Sequence, residues 1–361
     1  MKIIIYISNF NIIGGVETFT KNFCKRLSKF YDITLMYDNI GSLELLEEMK
    51  PFCKVQELTP YQKFDCDVFI SSSAWGKSAF EFVNAAIYIQ MVHADYRVII
   101  DGWAFNYKQN IKTTHHVCVG ETVKKGFKEV TKLKCDAVIH NLLNDTFKAG
   151  KKPKNKILNL ITCSRLSGEK GFKRMAQLAE QLEEKKIDYV WNVWGNNTTS
   201  YAKKIEELFI KFPKVIFKGV TTEPFKEINK ADYLVQLSDT EGFAYSVYEA
   251  MQVKTPCIIT PFASGNEQIQ NGVNGFIVPF EMDNIPFEEI LKKNLKVPEF
   301  KELGTEKHWI DFLEKSLKDF VKDKVRIKII AAVQGYKIGD VIYISKERAD
   351  SAIERNLATL F

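Results

Sequence analysis

Two carboxylates flank a glycine turn and the opening of a predicted helix in Glu241-Gly-Phe-Ala-Tyr-Ser-Val-Tyr-Glu249. A glycine at 242 lets the backbone approach a ligand closely, and the N–H groups at the start of a helix face an anion. Glu249, about two turns in, can reach a hydroxyl pair such as a ribose, and Glu241, ahead of the turn, can reach a second hydroxylated ring. An anion between two polyols describes a nucleotide diphosphate sugar. An ordinary surface helix with charged ends fits the same stretch, so other segments must decide. Cys163-Ser-Arg-Leu-Ser-Gly-Glu-Lys-Gly171 sits between a predicted strand and a predicted helix. That places Arg165 and Lys170 on a loop at a strand's carboxyl end, where cations would meet a diphosphate. Gly14-Gly15, just before a helix, offers another close approach for an anion, but the pattern is not GxGxxG and no dinucleotide fingerprint is present.

These residues need a frame. Apolar runs at 3–8, 32–37, 68–72, 86–92, 117–119 and 136–139 read as strands. Helical patterns lie between them, at 16–27, 42–50 and 121–129. After residue 156 the alternation restarts, with strands at 157–163, 189–194, 215–217, 233–236 and 257–260 and helices at 172–185, 201–209 and 246–251. The pattern predicts an α/β protein of two doubly wound, Rossmann-like halves, with the ligand in a cleft at the carboxyl ends of the strands. The two domains are expected over 1–147 and 157–303. Between them, residues 148–156 carry five lysines and a proline and read as a solvated linker. A long amphipathic helix over 304–321, expected to pack on both domains, turns Trp309, Phe312, Leu313, Leu317 and Phe320 inward. Residues 322–361 break the rhythm with two alternating strands, a turn-rich stretch at 335–340 and a short helix, a small β-rich appended module.

Composition narrows the class. The chain has 361 residues, 45% of them hydrophobic and 27% charged, which excludes extended disorder. A net charge of +6 is too diffuse to argue for nucleic acid, although half of it falls after residue 321. Seven scattered cysteines without a CxxC pair argue against a disulfide scaffold or a zinc ribbon and fit a reducing cytoplasm. No stretch has the length of a membrane span, so a soluble protein is expected, with peripheral contact at the inner membrane face left open.

Taken together, the chain resembles glycosyltransferase family 4, the retaining sugar-nucleotide transferases of the GT-B fold. The matching pieces are Gly14-Gly15-Val16-Glu17, Val92-His93-Ala94-Asp95, Ile139-His140-Asn141, 164–171, Gly195, Phe217-Lys218-Gly219, the E-x7-E element of 241–249, and Gly265-Asn-Glu267 with Asn271-Gly-Val-Asn-Gly275. The resemblance covers roughly 1–321, is stronger in the second half, and implies that 1–147 is the acceptor-side domain and 157–303 the donor domain. It implies that Arg165 and Lys170 neutralise the departing diphosphate and that Glu249 holds the ribose. Glu241 would contact the donor sugar, beside the amides of Gly242, Phe243 and Ala244. Gly14 and Gly15 would approach the phosphates, and His93 would lie by the transferred sugar. No metal or other cofactor is expected, because cations and the helix dipole take that role. The implied reaction is metal-independent, retaining hexosyl transfer from a nucleotide sugar, with UDP the favoured base, to a hydroxyl of a glycan, glycolipid or cell-surface polymer precursor. A UDP-sugar epimerase or phosphorylase of similar fold, and a non-catalytic partner of another glycosyltransferase, are the competing readings. Self-association is open. Gly120-Glu121, Asn141-Leu142-Leu143 and the polar loop 196–199 depart from the family pattern.

Other signals carry less. Asp65-Cys66-Asp67 is formally a DxD but precedes Val68-Phe69-Ile70 and reads as a polar strand entrance. His115-His116 lacks a carboxylate or Cys at a zinc-ligand spacing, and His140 and His308 show no partner in sequence. Trp75, Trp103, Phe105 and Tyr107 cluster in irregular segments, where core packing competes with acceptor stacking or membrane contact.

Overall fold

The computed structural model describes residues 1–10, 14–38, 42–59, 62–72, 79–98, 110–144, 150–322, 324–331, 333 and 338–360. Residues 11–13 of the glycine loop, Lys148 and Ala149 of the linker, part of the turn at 335–340, and Trp75, Trp103, Phe105 and Tyr107 lie outside that set.

Among the described residues, seven strands form the first sheet: β1 (Lys2–Ile7), β2 (Asp32–Tyr37), β3 (Lys54–Glu57), β4 (Phe64–Ser71), β5 (Val83–Val92), β6 (His115–Cys118) and β7 (Ala137–Val138), in the order β3-β2-β1-β4-β5-β6-β7. Its registers are parallel: Ile3 pairs with Ile33 on one side and with Val68 on the other. The second sheet has the order β10-β9-β8-β11-β12-β13, from β8 (Leu158–Cys163), β9 (Tyr189–Trp194), β10 (Val215–Gly219), β11 (Tyr233–Gln236), β12 (Cys257–Ile259) and β13 (Gly275–Ile277). Strands β1, β8 and β11 are near-continuous apolar runs because both faces of a parallel sheet are covered. Side chains alternate between the faces. Leu158, Leu160, Tyr233 and Val235 pack with Met175, Leu178 and Leu182 of helix Phe172–Glu184. Ile161 and Leu234 pack on the other side with Ile228, Val247 and Ala250, from helices Pro224–Lys230 and Tyr245–Gln252. Each buried Leu, Ile, Val or Met among them contributes about 1.5–3 kcal/mol.

The chain divides into two compact units, one holding Met1–Met91, Tyr107–Val117 and Thr305–Phe361, the other Val92–Asn106 and Cys118–Gly304. The long helix, Glu306–Val321, belongs to the first. Its Trp309 is fully buried against the rings of Phe19 and Phe23 on helix Gly15–Leu27, the T-shaped pair with Phe23 having centroids 5.0 Å apart. Arg26 and Glu306 form an ion pair beside that contact. Trp309 and Leu313 are buried, whereas Phe312, Leu317 and Phe320 of the expected stripe are half-buried. The C-terminal module is an antiparallel sheet of β14 (Lys324–Ile329), β15 (Val341–Ser345) and β16 (Ala358–Leu360), order β15-β14-β16, with helix Lys346–Glu354 closing over Ile327, Ile329 and Ala358. In the same unit, the Tyr343 hydroxyl donates to Asp67 at 3.2 Å, and Asn84 donates to Asp65 at 3.1 Å.

Lys151, Lys154 and Lys156 of the connector are exposed, whereas Lys152 and Asn155 turn inward. Lys152 reaches inward to the Thr255 hydroxyl, and burial brings its ammonium down to about 8. Asn155 donates to Asp232 and to the carbonyl of Lys230. All seven cysteines are free thiols. Among the described residues, no helix is long and apolar enough to cross a membrane.

Candidate active site

At the carboxyl end of β8 the chain enters a short 3-10 turn, Gly168–Lys170, and Gly171 closes it with φ of 72°. A Cβ on Gly171 would stand 1.7 Å from the Leu237 carbonyl oxygen, so both the left-handed backbone and the space demand glycine. That approach seats the 164–171 loop against the loop leaving β11. Three further bonds hold the loops together. The Asp239 amide donates to the Glu169 carbonyl at 2.8 Å, Arg174 Nε donates to the Leu237 carbonyl at 2.9 Å, and Arg174 pairs with Asp239.

This stitching brings Lys170 and Glu241 together across 71 residues, with Nζ 2.7 Å from Oε1 and side-chain exposures of only 12% and 14%. A pair so shielded is screened far less than a surface one. Two side chains that sequence reading overlooked share the same oxygen: Ser238 Oγ donates to it at 2.8 Å and Gln236 Nε2 at 3.1 Å. Arg165 is exposed and rests on Glu169 at 3.3 Å. Burial opposes ionisation of Glu169, but the Ser167 hydroxyl and its own backbone amide, with Lys170 and Arg165 nearby, hold its carboxyl below the usual range.

The turn after Glu241 leads into helix Tyr245–Gln252. A Cβ on Gly242 would lie 1.7 Å from the His93 carbonyl oxygen, so the close approach that requires glycine here is to the main chain of His93. Sequence reading assigned that approach to a ligand. The imidazole of His93 is buried, which brings its pKa down to about 4 and leaves it neutral at ordinary pH. Of the three amides expected to face the donor, that of Ala244 is taken by Gln268 Oε1 at 3.2 Å, while those of Gly242 and Phe243 meet no acceptor among the described residues. The Phe243 ring is fixed between His140, at 5.2 Å, and Tyr248, at 4.9 Å. Glu249, on the helix, is desolvated, and its carboxyl is pushed up to about 8. Gly14 and Gly15 lie in the other unit, at the start of helix Gly15–Leu27, where Glu17's carboxylate would stand 2.6 Å from a Cβ on Gly14.

His140 also has a partner that sequence could not show. Its Nε2 lies 3.1 Å from Glu267 Oε2, and Glu267 accepts from the amides of Glu121 and Thr122, both at 2.9 Å. Burial alone would raise the Glu267 carboxyl, but His140 and these amides outweigh it and hold it near 2. His308 takes part in the capping box of Thr305 at the head of helix Glu306–Val321.

Residues 143–303 match the family model described as glycosyl transferases group 1. Comparison by sequence with curated proteins returned no match. Among solved structures, Anabaena HepE in complex with UDP-glucose aligns at a TM-score of 0.64 and 15% identity, over 89% of this chain and 99% of its own. Sucrose-phosphate synthase from Thermosynechococcus elongatus aligns at 0.62 and 12%, over 89% and 94%. The lipopolysaccharide outer core galactosyltransferase WaaB, in its apo form, aligns at 0.57 and 17%, over 89% and 95%. The two parallel sheets with flanking helices are thus two Rossmann-like α/β domains of the GT-B kind, with a small antiparallel sheet added at the C-terminus.

Proposed function

We propose that this chain is a retaining, metal-independent glycosyltransferase of family 4 that moves a hexose from a UDP-sugar to a hydroxyl of a glycan, glycolipid or cell-surface polymer precursor. The observation that carries the reading is the shielded Lys170–Glu241 pair at the carboxyl end of the second sheet, beside the amides of Gly242 and Phe243, which meet no acceptor among the described residues. A cation and N–H donors there suit a diphosphate, and a fixed carboxylate at the same point suits a sugar hydroxyl. The match of 143–303 to group 1 transferases, and a structural neighbour bound to UDP-glucose, support the same choice of donor.

In the reaction, the bond from the anomeric carbon to the diphosphate oxygen breaks and a bond from that carbon to the acceptor oxygen forms on the same face. The acceptor's proton passes to the departing phosphate. Charge developing on the diphosphate is met by Lys170 and Arg165, the cations of the loop at the carboxyl end of β8. Glu249 accepts from the ribose hydroxyls, Glu241 orients the sugar, and His93, neutral through burial, offers a hydrogen bond to the sugar without competing for the phosphate.

UDP titrated into the protein should raise its melting temperature, since a ligand at 100 times its Kd stabilises the folded state by about 2.7 kcal/mol. Arg165→Ala and Lys170→Ala should each weaken UDP by about ten- to a hundredfold, the worth of one charge-assisted hydrogen bond of about 1.5–3 kcal/mol. Unaltered UDP affinity in both variants would refute the placement of the diphosphate.

A further inference from the structure

We propose that Gln236 and Ser238 are positioning residues for Glu241: they pin one carboxylate oxygen so that the other is presented to the donor sugar. The inference rests on the transferase reading above. All three hydrogen bonds to the Glu241 side chain end on Oε1, from Lys170, Ser238 and Gln236, and among the described residues none reaches Oε2. A carboxylate held at one oxygen by three donors cannot roll about its terminal bond, so the free oxygen keeps a fixed direction.

The donors are themselves fixed. A carboxylate only accepts, so the single proton of the Ser238 hydroxyl points at Glu241. A lone pair on that hydroxyl then receives Gln236 Nε2. The other end of the Gln236 amide is held by the Ser246 hydroxyl at 3.2 Å, which leaves Nε2 facing Glu241. The hydroxyl of Thr260, the residue after β12, donates to the Ser238 carbonyl. Gln236 is 2% exposed and Ser238 is wholly buried. The three residues before Gln236 in β11 are buried Tyr233, Leu234 and Val235, so an aliphatic side chain would suit the strand equally well. A buried amide and hydroxyl that converge on one carboxylate oxygen point to a task for that carboxylate.

Lys170 supplies charge whichever oxygen it meets, whereas Gln236 and Ser238 supply direction. Removing them should therefore spare UDP, which carries no sugar, and damage UDP-sugar. The test compares the wild type with Ser238→Ala and Gln236→Leu by calorimetric titration of UDP, UDP-glucose, UDP-galactose and UDP-N-acetylglucosamine, and by turnover of the preferred donor. UDP affinity should stay within about twofold. The advantage of the preferred UDP-sugar over UDP should shrink about tenfold, and kcat for donor turnover should fall by a similar factor. In a Glu241→Gln background the same substitutions should have little further effect, because they act through Glu241. Gln236→Glu sets a second carboxylate beside the first and should move the pH profile of turnover upward. Parallel losses for UDP and UDP-sugar would show a merely structural role and overturn the proposal, as would unchanged selectivity in both variants. Failure of the wild type to bind UDP at all would instead remove the transferase reading, and the inference with it, before any substitution is made.

Discussion

Glu249→Gln should make the unliganded protein more stable, and increasingly so as pH rises. Burial alone moves the Glu249 carboxyl from 4.5 to about 8. Between those limits the folded chain keeps a proton that the unfolded chain has released, so stability present below 4.5 is lost as pH climbs through 8. At about 1.36 kcal/mol for each tenfold change, the full span amounts to roughly 5 kcal/mol. Glutamine has the same shape and never ionises. Wild type and variant should therefore unfold alike near pH 4.5 and diverge by several kcal/mol above pH 8, read from urea midpoints at constant slope. A bound ribose should reverse the balance, because its hydroxyls donate best to the ionised carboxylate. At about one pH unit below the folded pKa, ionising Glu249 costs about 1.4 kcal/mol, so UDP should release close to one proton on binding. Calorimetry in buffers of different ionisation enthalpy counts that proton, and it should vanish in the variant. Stability profiles of wild type and variant that run parallel across the whole range would refute the reasoning, since the carboxyl would then not be desolvated.

Gly242→Ala should abolish donor binding and cost a few kcal/mol of stability, because the new methyl would collide with an immobile main-chain oxygen of His93; donor titration and urea unfolding measure both. Lys152→Met should stabilise the protein near neutrality by about 1–3 kcal/mol, and the gain should fade as the solution becomes alkaline. The folded chain sheds that proton at about 8 and the unfolded chain only near 10.5, so wild-type stability rises with pH through that window. Glu267→Gln should loosen the turn at Glu121 and Thr122 by about 1–2 kcal/mol at neutral pH. Its carboxyl is held near 2, against 4.5 unfolded, so its contribution is present above 4.5 and disappears on acidification towards 2; unfolding near pH 3 should show a smaller gap from the wild type than near pH 7.

The parallel strands were legible because burial on both faces leaves unbroken apolar runs, as at 3–7, 158–163 and 233–236. Strand β3 was not, since Lys54–Glu57 is a partly exposed edge with no such run, and three-residue β13 is too short to show a period. Helix Pro224–Lys230 was also missed: it opens on a proline, which reads as a break although it suits a first helical turn. At the site, sequence named Lys170 and Glu241 separately, but a pairing over 71 residues belongs to the fold. Gln236 and Ser238 escaped notice because polar residues after an apolar run look like an ordinary strand end. His140 found Glu267 only through a separation of 127 residues.

The burial of Trp309 between Phe19 and Phe23 has a consequence for how the chain is made. The unit that contains it is discontinuous: its first segment is synthesised well before the segment from Thr305, which seals it, emerges. The intervening stretch from Cys118 to Gly304 is continuous and can collapse first. At ~5–20 residues per second, the sticky face of helix Gly15–Leu27 waits on the ribosome for roughly a quarter of a minute to a minute. During that interval the nascent protein offers chaperones an aromatic patch that the finished molecule hides.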